Sequence, residues 1–238
     1  TNTDTRDAAA TLAQIRELAS AGCEIVRVTV PDEAAVAALP EILAGSPLPV
    51  IADIHFDYRL ALGSIRAGVH GVRLNPGNIG SAEKVRAVAE AAGEAGIPIR
   101  VGANSGSLPK GMAAANRAAG MSHDEAIARA LTDAAMEQVK LLEQYSFRNL
   151  KVSLKASSVP VTVAAYRLFA ERSDYPLHLG VTEAGTAFRG AVKSAIGIGS
   201  LLLDGIGDTI RVSLSAPPVE EIRAALAILE SAGLREAA

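Results

Sequence analysis

The chain has 238 residues, a length that is ordinary for one α/β barrel. Its formal net charge of -3 excludes the generally basic surface that binds nucleic acid or anionic membranes. Apolar residues make up 49% and aromatic residues only 3%, so we expect a core of Ala, Val, Ile and Leu.

Short β-branched runs alternate with Ala-rich segments of helical period along the whole chain. In chain order they predict helix 7–20, strand 25–30, helix 32–44, strand 49–54, helix 57–68, strand 71–75, helix 81–95, strand 97–103, helix 122–146, strand 149–156, helix 159–172, strand 177–183, helix 188–203, strand 208–214 and helix 218–232. This order predicts a TIM-type (β/α)8 barrel in a single domain over residues 1–238. Because the first predicted element is a helix, we expect the first barrel strand to end at or before Thr1 and to be largely missing.

Local signals mark two helix starts and one long connection. Ser122 followed three residues later by Glu125 predicts a capping box, and Pro217 with Pro218 predicts a first helical turn. The connection over residues 104–121 is long enough to predict a lid or a binding loop. The single cysteine, Cys23, cannot form an internal disulfide or hold a cluster alone, and we interpret it as a small buried hydrophobic residue.

Charged residues recur at the C-terminal ends of the predicted strands. They are Arg27, Asp53, Arg73, Arg100, Lys155, Glu183 and Arg211. Five of them are cations, and cations at this end of a parallel barrel are typical of a site for a phosphorylated substrate. Side-chain alternation places further polar residues on the same strand faces, and those of interest are His55, Asn75, Asn104 and Ser213.

An internal salt-bridge network is the alternative interpretation of these charges. In that case Asp53 and Glu183 would neutralise two cations and merely help to close the barrel. The excess of cations favours a bound anion, because an unpaired buried charge costs on the order of several kcal/mol.

Several individual motifs keep two interpretations. His55 is expected to hydrogen-bond a substrate or to fill a satisfied core position, rather than to bind a metal. The run NPGNIG after Arg73 either cradles phosphate with its N–H groups or is a turn that enters a helix at Ser81. Lys155 can form a Schiff base or bind a phosphate oxygen, and its cationic neighbours favour phosphate. Glu183 is either a general acid or a plain salt-bridge partner.

Seven runs, in this order and spacing, resemble one known family along essentially the whole chain. They are TNTDT, ADIHFDYR, GVRLNPGNIG, PIRVGANSGSL, SLKAS, PLHLGVTEAG and GIGDTIRVSLS. They resemble the barrel domain of the 4-hydroxy-3-methylbut-2-enyl diphosphate synthases. The resemblance implies an oxidoreductase of isoprene biosynthesis in the methylerythritol phosphate pathway. Such enzymes reductively open 2-C-methyl-erythritol 2,4-cyclodiphosphate, with electrons that pass from flavodoxin or ferredoxin through a 4Fe-4S cluster.

The resemblance also implies roles for individual residues. Substrate contacts would fall on Arg27, Asp53, His55, Arg73, Arg100, Asn104, Lys155, Arg211 and Ser213. Glu183 would be the catalytic residue near the reacting carbons, and Asn75 is added to the substrate contacts from side-chain alternation alone. Ser158 departs from the family pattern, which has an acidic residue there, and is expected to affect only the start of the next helix.

The family pattern extends beyond the motifs found in this chain. In the family, three cysteines and a glutamate of a C-terminal domain hold the cluster, and the subunits form head-to-tail homodimers in which one cluster domain covers the other barrel. We therefore expect this chain to hold no metal, to bind the cyclodiphosphate and not to reduce it. We also expect a cytoplasmic bacterial protein with no nucleic-acid or membrane partner.

Two other function classes remain open from the sequence. One is a phosphosugar aldolase-like barrel that uses Lys155 as a Schiff base, which rests on fold analogy alone. The other is a catalytically silent module that binds anions.

Overall fold

A computed structural model describes residues 1–108 and 111–236. The chain divides into two compact units, and each is described separately. The first unit contains Thr1–Val101 and Gln138–Leu150, and the second contains Gly102–Glu137 and Lys151–Ala238. Strand and helix alternate throughout, which confirms the predicted α/β class.

The described part of the chain forms ten α-helices and seven strands. The helices are α1 Ala8–Ser20, α2 Glu33–Gly45, α3 Tyr58–Ala67, α4 Pro76–Ile79, α5 Ala82–Glu94, α6 Met112–Ala118, α7 His123–Glu143, α8 Val159–Ala170, α9 Ala187–Leu203 and α10 Pro218–Ser231. The strands are β1 Val26–Thr29, β2 Val50–Asp53, β3 Gly71–Arg73, β4 Ile99–Asn104, β5 Leu150–Lys155, β6 His178–Leu179 and β7 Thr209–Ile210. Every helix and strand predicted from the sequence is present.

Three short helical elements were not predicted. α4 begins in the Pro-Gly turn after Arg73, where the Asn75 Oδ1 accepts the Gly77 N–H at 3.0 Å and Pro76 occupies the first turn. α6 and a 3-10 helix, Ser105–Ser107, lie in the long connection predicted as a lid or binding loop. Pro109 and Lys110 of that connection lie outside the described residues.

The predicted helix starts are confirmed. The Ser122 N–H donates to Glu125 Oε2 at 3.0 Å, and the Glu125 N–H donates to Ser122 Oγ at 3.4 Å, which is the reciprocal pattern of a capping box. α10 begins at Pro218, as predicted. Ser158 is the N-cap of α8, and its Oγ accepts the Val161 N–H at 3.5 Å, so its effect lies at the start of that helix.

The first unit contains a parallel sheet in the order β1, β2, β3, β4. Its apolar strand residues, including Val28, Ala52 and Val72, are almost fully buried. Helix α2 packs beside both α1 and α3, and α3 also packs against α5. This agrees with the predicted alternation, in which the apolar face of each strand is covered by helices.

The second unit contains the last residues of β4 and β5 from Lys151 onward, together with β6 and β7. Val152 of β5 forms a parallel bridge with Leu177, and β6 pairs in parallel with β7 over two residues. β6 and β7 are much shorter than the predicted strands 177–183 and 208–214. The remaining residues of both segments are loops that carry several of the candidate site residues.

Helix α9 has one buried face and one exposed apolar face. Ser194, Gly197 and Leu201 point inward and are buried, and α8 and α10 both contact the helix. The exposed face is the α9 stripe, which consists of Phe188, Val192, Ile196 and Leu203. Their spacing places all four on one side of the helix. No helix among the described residues is long and apolar enough to cross a bilayer.

Candidate anion-binding site at the strand ends

Four neighbouring strands of the first unit place polar residues in one row. The parallel register sets Thr29 opposite Asp53, Asp53 opposite Arg73, and Arg73 opposite Arg100. Residues in direct register point to the same face, with strands about 4.8 Å apart. The register therefore makes neighbours of three charged side chains that are far apart in sequence.

Asp53 pairs with two arginines. One is Arg73, its neighbour in the row, and the other is Arg27, which lies two residues before Thr29 on β1. The Asp53 Oδ2 is 3.2 Å from Nε of Arg27, and the Oδ1 accepts a hydrogen bond from Nη1 of Arg73 at 3.0 Å. Asp53 is only 4% exposed. Burial alone would raise the pKa of the Asp53 carboxyl, but the charges of Arg27 and Arg73, with a smaller contribution from His55, hold that pKa below its ordinary value.

The salt-bridge interpretation is therefore confirmed for Asp53, but the cationic character of the row persists. Arg27, Asp53 and Arg73 together carry one net positive charge, and Arg100 adds another. The Arg27 and Arg73 side chains are 32% and 27% exposed, so parts of both guanidinium groups reach the surface. The carboxylate thus orients two guanidinium groups that remain partly exposed.

His55 and Asn75 follow the same strands but have different surroundings. His55 is exposed and lies next to Phe56, with ring centroids 6.2 Å apart. The Asn75 side chain caps α4, so its oxygen already accepts a hydrogen bond from the Gly77 N–H. The NPGNIG run is therefore a capped helical turn followed by α5, with Ser81 as the N-cap of that helix, as one of the two interpretations predicted.

In the second unit, Lys155 ends β5 and is 8% exposed. A Cβ placed on Gly180 would lie 3.1 Å from the Lys155 Nζ and 2.8 Å from the Arg211 carbonyl oxygen. A side chain at residue 180 would therefore displace the lysine or the backbone after β7. On the same strand, Ser153 is also buried, and its side chain occupies the space that a Cβ on Gly102 would need.

Arg211 and Ser213 lie in the segment that follows β7. The Arg211 N–H donates to the Leu179 carbonyl at 3.0 Å, while its guanidinium is exposed and has Nη2 3.9 Å from Oε1 of Glu221. The Ser215 N–H donates to the Gly185 carbonyl at 3.0 Å. This bond ties the segment 211–215 to the loop that carries Glu183.

Glu183 has an unusual backbone conformation for a residue with a side chain. Its φ is 51°, in the left-handed region that glycine favours. The side chain is exposed, and within residues 1–108 and 111–236 its carboxylate forms no ion pair or hydrogen bond. A strained conformation that holds an acid in solvent is typical of a functional position. Asn104, the last residue of β4, is exposed as well.

Three residues of the second unit that contact or make room for polar residues at the strand ends were not identified from the sequence. Gly102 and Gly180 each make room for a polar strand residue, and a glycine inside a predicted strand is a recognised signal of such close approach. Glu221 contacts Arg211, but the sequence showed it only as an acid in the first turn of a helix. Nothing local indicates which distant side chain such an acid meets.

The residues of this chain do not fit a 4Fe-4S cluster. Such a cluster is normally held by about four thiolates, and the sequence contains one cysteine. Cys23 is half-buried and donates to the Ile25 carbonyl at 3.2 Å, and burial raises the pKa of its thiol. Among the described residues, no group of three His, Cys, Asp or Glu side chains is placed to hold a metal ion.

A shallow depression of about 760 Å³ lies elsewhere on the first unit, between α1 and α2. Five alanines line it, together with Asp4, Arg6, Asp7 and Glu41. None of the candidate residues lines it.

Parallel βα units define an α/β protein of the barrel class, and cations at the strand ends are typical of barrels that bind phosphorylated ligands. The chain belongs to the GcpE TIM-barrel domain family, whose model matches residues 1–226. This confirms the family resemblance and the predicted fold class.

Two curated relatives illustrate the similarity. The chain is 56% identical over 235 residues to the 4-hydroxy-3-methylbut-2-en-1-yl diphosphate synthase (flavodoxin) of Maridesulfovibrio salexigens, with 99% of the chain and 64% of the relative covered. It is 55% identical over 235 residues to the protein of the same name from Geobacter sulfurreducens, with 99% and 65% covered. The chain thus spans less than two thirds of the length of these relatives.

Solved structures of low sequence identity share the fold. The 3-dehydroquinate dehydratase of Geobacillus kaustophilus matches with a TM-score of 0.62 at 18% identity, over 95% of this chain and 88% of that one. The dihydropteroate synthase of Yersinia pestis matches with a TM-score of 0.61 at 15% identity, over 96% and 90%. At these identities the likeness concerns the fold alone.

Proposed function

We propose that this chain is the substrate-binding barrel domain of an iron–sulfur oxidoreductase of isoprenoid biosynthesis. The full enzyme would reductively open 2-C-methyl-erythritol 2,4-cyclodiphosphate to 4-hydroxy-3-methylbut-2-enyl diphosphate. Support comes from the family membership and from the names of relatives that are more than half identical. Residues 1–238 would act as a single barrel domain that binds the substrate and does not reduce it alone.

The row of Asp53, Arg73 and Arg100 with the flanking Arg27 is the observation that carries this proposal. A cyclic diphosphate presents several anionic oxygens, and guanidinium groups bind such oxygens in pairs. Asp53 holds two of these guanidinium groups in place before the ligand arrives. The same cations would stabilise the negative charge that develops on the diphosphate as its C–O bond breaks.

The remaining candidate residues are assigned by the family resemblance. His55, Asn75, Asn104, Lys155, Arg211 and Ser213 would be further substrate contacts. The burial of Lys155 against Gly180 gives its ammonium group a fixed position, which suits a phosphate contact. For Asn75 the cap of α4 competes with such a contact.

Glu183 would be the general acid. Its carboxyl would deliver a proton to the substrate hydroxyl, so that the oxygen leaves as water. The exposed carboxyl in a left-handed backbone conformation supports this assignment. In the complete enzyme, Glu183→Gln should lower the turnover number at least about a hundredfold, because general acids contribute about 10²–10⁴ in rate. The substrate affinity should stay within about threefold, and an unchanged turnover number would remove Glu183 from catalysis.

The redox partners would lie outside this sequence. We propose that a 4Fe-4S cluster, bound by residues that this chain does not contain, receives electrons from flavodoxin or ferredoxin. The names of both curated relatives include flavodoxin, which supports it as the electron donor. We further propose a homodimer in which the cluster domain of a second subunit meets this barrel. The exposed α9 stripe supports association with another copy, because large apolar patches commonly mark interfaces.

Calorimetric titration of this chain with the cyclodiphosphate tests the binding proposal. We expect saturable binding, and Arg100→Gln should weaken it about 10- to 100-fold, since hydrogen bonds to charged groups contribute about 1.5–3 kcal/mol. Arg86→Gln on α5 is the matched control, because Arg86 is exposed and pairs only at 3.6 Å with Glu90. The proposal fails if the wild-type chain does not bind the cyclodiphosphate, or if both variants bind as the wild type does.

A further inference from the structure

Glu221 makes two contacts with the segment that follows β7. Its Oε1 accepts the Leu214 N–H at 2.9 Å and lies 3.9 Å from the Arg211 Nη2. One carboxylate therefore reaches the residues on both sides of Ser213. The Glu221 side chain is 18% exposed, so it is partly shielded from water.

The segment 211–215 has little regular structure to hold it. β7 ends at Ile210, and the Arg211 N–H donates to the Leu179 carbonyl. Beyond that point the Leu214 side chain packs against Gly190, where a Cβ would lie 2.5 Å from Leu214 Cδ2. The Ser215 N–H then donates to the Gly185 carbonyl. Among the described residues, Glu221 thus supplies the one hydrogen bond to this segment between these two backbone anchors.

These contacts exceed what a helix start requires. In a capping box, a side chain at the third helical position reaches back to the N-cap N–H. Glu221 instead reaches Leu214, which precedes the N-cap Pro217 by three residues. At 3.9 Å with an exposed arginine, its ion pair adds little to stability. The geometry suits a carboxylate that fixes the position of a loop.

We propose that Glu221 is a positioning residue that holds Arg211 and Ser213 ready for the diphosphate. The inference rests on the proposed function, since it assigns a supporting residue to that site. Glu221 does not touch the ligand. It anchors the Leu214 backbone and keeps the Arg211 side chain near its binding orientation, so that less ordering is needed on binding.

Calorimetric titration with the cyclodiphosphate, combined with urea unfolding of each variant, tests this inference. Glu221→Ala should raise the dissociation constant about tenfold, the effect of losing about 1.4 kcal/mol of binding free energy. Glu221→Gln should stay within about threefold of the wild type, because its amide oxygen still accepts the Leu214 N–H. Glu220→Ala is the matched control, since Glu220 is the preceding residue and pairs with the exposed Arg223.

A double-mutant cycle separates positioning from general stability. In an Arg211→Ala background, Glu221→Ala should raise the dissociation constant by less than about threefold, because coupled residues are not additive. A merely structural role would produce the same change in both backgrounds. If Glu221→Ala does not fold, Glu221→Asp serves instead. It keeps the charge and withdraws the acceptor by one methylene, and it should weaken binding at least about threefold.

The outcomes distinguish the two proposals. If the wild-type chain fails to bind the cyclodiphosphate, the proposed function is refuted and this inference falls with it. If the wild-type chain binds, only this inference is at stake. It is overturned if Glu221→Ala, or Glu221→Asp where the alanine variant does not fold, leaves the dissociation constant unchanged. It is also overturned if the Glu221 substitution raises the dissociation constant equally in the wild-type and Arg211→Ala backgrounds.

Discussion

Asp53→Asn is expected to destabilise the chain markedly, because Asp53 is the buried partner of two arginines. A charge pair about 4 Å apart gains about 4 kcal/mol at an effective dielectric constant of about 20. Asp53 has two such partners, but the cost of burying its carboxylate offsets part of the gain. Breaking one side of a buried pair costs about 3–5 kcal/mol, and the partial exposure of the arginines favours the lower end, about 3 kcal/mol.

The asparagine would also mismatch one partner. Its carbonyl oxygen can still accept from the Arg73 Nη1, but its NH2 group would then face the Nε donor of Arg27. Urea unfolding at pH 7 measures the free-energy loss, and thermal unfolding should show a fall of about 6–12 °C for a chain of this size.

The pH dependence of this loss identifies its cause. The pKa of Asp53 is lowered in the folded chain, so its stabilising contribution is complete well above the ordinary pKa of aspartate, about 3.9. It is lost as the pH falls through the folded-state pKa, which lies below that value. The difference between wild type and Asp53→Asn should therefore shrink as the pH is lowered from 4 towards about 3.

Asp57→Asn is the matched control. Asp57 pairs with Arg59 at 2.7 Å, but these side chains are 34% and 70% exposed. Asparagine at this position can still cap α3. We expect a loss below about 1 kcal/mol. Equal losses for the two variants, or a loss at Asp53 that does not shrink in acid, would refute the reasoning.

Three further substitutions probe other parts of the chain. Gly180→Ala should lower the unfolding free energy in urea by about 1–3 kcal/mol and weaken cyclodiphosphate binding, because the new Cβ crowds Lys155 and the Arg211 carbonyl. Its control is Gly199→Ala, in open space on α9, which should be neutral or stabilising by about 0.5–1 kcal/mol. Similar losses of stability at both glycines would count against this prediction. Ile196→Glu places a charge on the apolar α9 stripe and should reduce self-association, as measured by sedimentation velocity. Arg189→Glu, on the same helix but outside the stripe, should not. A wild-type chain that stays monomeric at all concentrations would contradict the prediction. Ser122→Ala should lower the unfolding free energy by about 1 kcal/mol through loss of the capping box, and an unchanged value would show that the cap contributes nothing.

The elements were predictable because their signals are local. β-branched runs and helical periodicity are read within a few residues, and every predicted helix and strand is present. The same locality explains the failures. The Pro-Gly turn after Asn75 also satisfies the requirements of one helical turn. The segments predicted as strands 177–183 and 208–214 are strands only at β6 and β7, and Thr182 and Glu183 instead form a bend.

The candidate site was predictable as a set of residues and not as an arrangement. Alternation along single strands identified Arg27, Asp53, Arg73 and Arg100, but their order in the row depends on hydrogen bonds between segments that are distant in sequence. The ion pairs of Asp53 agree with the alternative interpretation as a salt bridge, and its assignment as a substrate contact stays a prediction; its two arginine partners could not be named from the sequence. Glu221 could not be found at all, since its role comes from the loop it meets rather than from its own neighbours.

At Glu183, the residue that favours stability differs from the residue that the proposed chemistry requires. A non-glycine residue with φ of 51° carries a strain on the order of 1 kcal/mol or more, which glycine would relieve. A directed-evolution screen for heat tolerance alone should therefore select glycine at residue 183, and the selected protein would lack the carboxyl that we propose as the general acid. On that proposal, a screen that also demands turnover should retain the glutamate.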